Sequence, residues 1–72
     1  MKTIDVCGLS CPEPVVRTQA ALKKLAAGEA LEVVADSVTA RENVARTARA
    51  AGYAVAIAER NGQFSLTLTR QA

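Results

Sequence analysis

The chain has 72 residues and a formal charge of +2; half its residues are apolar, and only Tyr53 and Phe64 are aromatic. So short a chain buries only about 60% of the surface its unfolded form exposes, so one domain over residues 1–72 is expected, with one core and no deep substrate cavity. The composition is too apolar for a disordered chain, the charge too small for a dedicated nucleic-acid binder, and no apolar run near 18 residues offers a membrane span.

No basic-plus-apolar leader precedes the first strand, and Met1 runs straight into it, which reads as a native start and a cytoplasmic protein. Two cysteines in a leaderless chain read as thiols rather than as a structural staple. The chain has no His, so the commonest metal ligand and general base is missing, and a two-Cys site would hold zinc poorly. Neither a metal nor a cofactor is expected.

Lys2–Val6 alternates, with Ile4 and Val6 on one face, and predicts a strand. Gly8 to Cys11 is a turn, and Pro12 fits the first helical position, where a missing N–H costs nothing. The helix that follows carries a stripe of Val15, Thr18, Leu22, Leu25 and Ala26, with Arg17 and Lys24 pointing away, and ends at Gly28. Glu29–Ala35 is a second strand with Leu31, Val33 and Ala35 inward. Thr39-Ala-Arg-Glu42 has the spacing of a capping box and predicts the start of a second helix. Its buried face is Ala40, Val44, Thr47, Ala48 and Ala51, and Gly52 closes it. Tyr53–Glu59 is a third strand. Asn61-Gly62 is a strong two-residue hairpin signal, and Gln63–Thr69 is the returning fourth strand.

The order βαβαββ predicts an α/β fold, an α+β two-layer sandwich. Each strand has one apolar and one polar or small-residue face, so both helices belong on the same side of the sheet. Right-handed crossovers make the first three strands parallel, and the hairpin sets the fourth antiparallel, giving a mixed four-stranded sheet.

Six of the nine basic residues (Arg17, Lys23, Lys24, Arg41, Arg46 and Arg49) fall in the helical segments, against two acids there, Glu13 and Glu42. That layer is either a solvated face or a surface for an acidic partner or RNA.

Cys11 is the residue with chemistry to offer. At the N-cap, or one position before it, its sulfur faces the free N–H groups of the first helical turn. Pro12 and Pro14 have no N–H, which leaves Glu13 and Val15 as donors, and both prolines stiffen the turn. A helix N-terminus can draw a thiol from ~8.5 into the ~3.5–7.5 range, and it stabilises a persulfide anion in the same way. The Glu13 charge opposes this, and Arg17 four residues on can neutralise it. The plain alternative is a cysteine that merely caps a tight turn. Asp36 reads as a cap on the turn into the second helix.

The run Ile4-Asp-Val-Cys-Gly-Leu-Ser-Cys-Pro-Glu-Pro-Val-Val-Arg-Thr18 resembles the signature of the TusA/SirA/YedF family of sulfur-carrier proteins, whose Gly-Leu-x-Cys-Pro-x-Pro turn opens the first helix. The length, the βαβαββ order and the Ala35-Asp36 ending the second strand also match. The resemblance implies strand order 1-2-4-3, in the fold shared with the C-terminal domain of translation initiation factor three. It implies that Cys11 bears a persulfide, received from a cysteine desulfurase or a rhodanese and passed to a cysteine of an acceptor protein. Pro12, Glu13, Pro14 and Arg17 then support the site. Ser10 stands where tRNA-thiolating members often carry Arg. Arg41-Glu-Asn-Val-Ala-Arg46 with Ala51-Gly52-Tyr53 looks more like the YedF-type branch, sometimes associated with selenium metabolism.

Cys7 departs from the family, where charged or aliphatic residues are usual. It is either a resolving thiol for a Cys11 persulfide or a small residue at a strand end. The expected partners are a sulfur donor protein and an acceptor protein, with no nucleic acid or membrane, and the chain is expected to be a monomer. The competing functions are a small nucleic-acid-binding module and a thiol-redox module using Cys7 and Cys11.

Overall fold

Alternating side chains pair the strands by their apolar faces, and the computed structural model, which describes residues 2–10, 12–26 and 28–70, bears out this pattern. The elements are β1 (Lys2–Asp5), α1 (Glu13–Lys23), β2 (Ala30–Ala35), α2 (Val38–Ala50), β3 (Tyr53–Arg60) and β4 (Gln63–Arg70). The sheet order is β1-β2-β4-β3, with β1 parallel to β2 and β4 antiparallel to both β2 and β3. This is the predicted mixed sheet with two helices. The β3–β4 hairpin turns at Asn61 (φ 52°) and Gly62 (φ 79°), the pair of positive φ values that a tight I′ turn needs.

The core lies between the sheet and the helices. Leu31, Val33 and Ala35 of β2 and Phe64, Leu66 and Leu68 of β4 are buried there, as the alternation predicts. The helices answer with Leu22, Val44, Ala45 and Ala48. Small alanines let α2 approach closely, and this compensates for a core with one buried aromatic ring. Thr18 is buried too; its hydroxyl donates to the Pro14 carbonyl at 2.8 Å, so it adds no unpaired polar group.

Several boundaries differ from the sequence reading. Pro12 is the N-cap of α1 rather than its first helical residue, and Pro14, not Val15, begins the buried stripe. The helix stops at Lys23, well before Gly28, and the Glu29 carboxylate then accepts the Ala26 amide at 2.9 Å. The cap of α2 is Ser37, whose hydroxyl accepts from the Ala40 amide at 3.1 Å. Thr39 therefore lies inside the helix, and Glu42 pairs with Arg41 at 2.7 Å instead of closing a capping box. The buried face of α2 is Ala40, Val44, Ala45 and Ala48, with Thr47 half-buried and Ala51, at the C-cap, exposed. β3 is covered only at its start. From Ala56 onward it is exposed, and Ile57 keeps 43% of its surface in water.

Candidate functional site

Because β1 and β2 run parallel, both deliver a carboxylate to the same end of the sheet, Asp5 closing β1 and Asp36 following β2. Both helices start at this end. The chain leaving β1 keeps the sheet ladder for one more residue, with the Val6 amide on the Val34 carbonyl at 2.8 Å. It then turns, the Leu9 amide reaching the Val6 carbonyl at 3.3 Å. Gly8 has φ +76°, as the third position of such a turn requires, and only glycine adopts that freely.

Two carboxylates hold this turn. Asp5 Oδ1 accepts the Cys7 amide at 2.8 Å, a local Asx turn. Both oxygens of Asp36 accept the Gly8 amide, at 3.2 and 3.1 Å, tying the turn to the end of β2 across 28 positions of sequence. Asp36 thus braces the turn that precedes the Cys-Pro-Glu-Pro run rather than capping α2, whose cap is Ser37. Neither carboxylate was picked out for this role from sequence. An Asp two residues before a Cys-Gly turn is a readable Asx signal; the Asp36 contact has no local signal at all.

Cys11 lies outside the described residues. On either side of it in sequence, Ser10 and Glu13 are joined by a hydrogen bond from the Glu13 amide to the Ser10 carbonyl at 2.8 Å. The Glu13 N–H, expected to face the sulfur, is therefore committed to a backbone turn. The Val16 amide reaches the Pro12 carbonyl at 3.0 Å and opens the regular helix. The Glu13 carboxylate and the Arg17 guanidinium meet at 3.6 Å, the i,i+4 pair read from sequence, and both are exposed. Such a pair adds little stability but offsets the charge nearest the helix start. Pro12 is exposed and Pro14 buried.

A cleft of about 290 Å³ opens between this loop and the two helix starts, lined by Leu9, Ser10, Pro14, Val15, Ser37 and Thr39. Val16 and Val38, 50% and 55% exposed, stand on the first turns of the two helices. The volume lies just under the usual range for small-molecule sites, and apolar residues exposed at the same end suit a protein surface better. A larger hollow, about 670 Å³, sits between the opposite ends of the helices beside Lys23, Arg46 and Tyr53, away from Cys7.

Cys7 is a half-buried free thiol. Its partial burial, its hydrogen bond with Asp5, and the charges of Asp5 and Asp36 push it up to about 11. The same contacts, the Cys7 amide first and its thiol second, hold the Asp5 carboxyl below its ordinary value. At neutral pH Cys7 is therefore a thiol and a poor nucleophile.

Among the described residues no helix is long and apolar enough to cross a membrane. The family profile "Sulfurtransferase TusA" matches residues 2–70. A protein of Methanocaldococcus jannaschii, provisionally named a sulfur carrier, is 51% identical over 59 residues, which cover 82% of this chain and 79% of that one. YedF of Escherichia coli strain K12, also provisionally named a sulfur carrier, is 39% identical over 59 residues, covering 82% and 77%. The crystal structure of a SirA-like protein from Desulfitobacterium hafniense superposes with a TM-score of 0.87 at 37% identity, covering 94% of this chain and 95% of that one. A profile matched along nearly the whole length, relatives of this identity and a shared fold agree: the chain belongs to the sulfurtransferase TusA family of sulfur carriers.

Proposed function

We propose that this protein relays sulfur in the cytoplasm as a persulfide on Cys11, taking it from a cysteine desulfurase or rhodanese and passing it to a cysteine of an acceptor protein. In loading, the Cys11 thiolate attacks the outer sulfur of the donor's persulfide. The donor S–S bond breaks and leaves a donor thiolate, while a new S–S bond forms on Cys11. The transferred sulfur keeps its oxidation level, so no oxidant or reductant enters. Handover repeats the step with the acceptor thiolate attacking the outer sulfur of the Cys11 persulfide.

The observation that carries this reading is the bracing of the Cys7–Gly8 turn by Asp5 and Asp36 at 2.8–3.2 Å, immediately before Cys11-Pro12-Glu13-Pro14. A reactive sulfur that must meet two different proteins gains from a fixed, surface-placed loop, because misplacing a reacting atom by about 1 Å can cost a hundredfold in rate. The first turn of α1 supplies the positive end of the helix dipole for a sulfur anion, and the Arg17 pairing offsets Glu13.

The test is intact-mass measurement after incubation with a cysteine desulfurase and cysteine. The wild-type chain is expected to gain one sulfur atom and the Cys11→Ser chain none. A loss of two hydrogens would support the thiol-redox alternative instead. No mass change at all would favour a binding module.

A further inference from the structure

A second thiol four residues before a persulfide is a hazard. A Cys7 thiolate attacking the inner sulfur of a Cys11 persulfide would form a Cys7–Cys11 disulfide and expel hydrosulfide. Both cysteine sulfurs would be oxidised to the disulfide and the carried sulfur reduced to sulfide, so the cargo would be lost with no outside reagent. We propose that Asp5 and Asp36 are positioning residues that hold Cys7 as a neutral, inward-bonded thiol, so that sulfur carried on Cys11 survives until an acceptor arrives. This inference rests on the Cys11 persulfide reading.

The geometry supports it from three sides. The Cys7 amide is fixed on Asp5 Oδ1 at 2.8 Å, and the next amide, of Gly8, on both oxygens of Asp36. The Cys7 thiol has the Val34 carbonyl at 3.8 Å and the Asp5 carboxylate beside it, so its single proton has alternative acceptors within the fold. The charged groups that face it are the carboxylates of Asp5 from β1 and Asp36 from the end of β2; from β4 the neutral Gln63 side chain donates its Nε2–H toward the sulfur at 3.8 Å. Two fixed negative charges beside a half-buried sulfur oppose a third. With the thiol held at about 11, only about one Cys7 in ten thousand is ionised at pH 7.

The experiment uses the full chain and two readouts. In a Cys11→Ser chain, the alkylation rate of Cys7 is followed against pH, with and without Asp5→Asn or Asp36→Asn. Asparagine keeps an oxygen for the amide bond and removes the charge. Each substitution is expected to raise alkylation at pH 7 a few-fold, Asp5→Asn more than Asp36→Asn, since burial is the largest cause of the raised pKa and stays in place. In the chain with both cysteines, loaded with sulfur by a desulfurase and then freed of donor, Asp36→Asn is expected to hasten sulfide release and the appearance of the disulfide mass. Adding Cys7→Ser to Asp36→Asn should restore slow release. Unchanged alkylation, or sulfide loss equally fast with Cys7→Ser, overturns the proposal. If the wild-type chain accepts no sulfur, the Cys11 reading fails and this inference with it, while the alkylation readout still reports on the two carboxylates alone.

Discussion

Asp36 and Asp5 act on neighbouring amides from different distances in sequence, and this difference decides how each is read and how each is tested. Asp36→Ala frees the Gly8 amide from its two bonds and should cost about 1 kcal/mol of stability, the usual scale for a hydrogen bond; chemical denaturation checks it. Cys7 supplies a pH signature. Its folded-state pKa lies above that of an ordinary thiol, near ~8.5, so between there and about 11 the unfolded chain releases a proton that the folded chain keeps. Stability should therefore decline with rising pH across that window, and the decline should be shallower in Cys7→Ser. Melting temperatures of the two chains from pH 8 to 11 decide the matter, and parallel curves would contradict the assignment. Asp5 works in the opposite sense. Its lowered pKa favours the folded state above ~3.9 and loses that contribution as the pH falls through the folded-state value. At this scale the sequence showed the Glu13–Arg17 pair. It did not show the bracing by Asp36, because a contact across 28 positions leaves no local pattern, nor the use of the Glu13 amide by Ser10.

At the scale of elements, strand faces were legible and helix ends were not. A period of two leaves little freedom: shifting β2 or β4 by one residue would turn Leu31, Val33, Leu66 and Leu68 to the polar face. Helix starts are more permissive. Ser37 and Thr39 are both good caps on paper. Ser37 takes the role because its backbone is extended (φ −138°, ψ 151°) and its hydroxyl meets the Ala40 amide. Ser37→Ala should therefore cost about 1 kcal/mol and Thr39→Ala only a few tenths; equal costs in a urea titration would put the cap back at Thr39. Pro14 poses the matching question for α1. It is buried in the first turn, and its carbonyl receives the Thr18 hydroxyl. Pro14→Ala should leave the fold intact at a cost of about 1–2 kcal/mol, combining lost restriction of the unfolded chain with lost packing. Sulfur handover should fall by much more. A handover rate that merely tracks stability would make Pro-x-Pro a helix-start device and nothing else.

At the scale of the whole molecule, the sheet is unevenly covered. Ile57 and Leu66 face each other across β3 and β4, yet Leu66 is fully buried and Ile57 is not. Leu66→Ala should cost about 2–5 kcal/mol, a large share of the few to ten that a chain of this size possesses, and Ile57→Ala less than about 1. Comparable losses in the two denaturation curves would contradict this description of the core. Periodicity and crossover handedness specify faces and directions but not neighbours. The order β1-β2-β4-β3 came from resemblance, since nothing in β2 alone says that β4, not β3, lies beside it. With a cleft lined by Leu9, Ser10 and Pro14 and exposed valines on the helix starts, this end of the molecule suits contact with other proteins. The central claim is that Cys11 holds the travelling sulfur. Its most direct test loads the wild-type chain with isotopically labelled sulfur from a cysteine desulfurase, digests it under non-reducing conditions and locates the label by peptide mass spectrometry. The label should sit on Cys11 and pass to an acceptor cysteine on mixing; label on Cys7, or on neither cysteine, would contradict it.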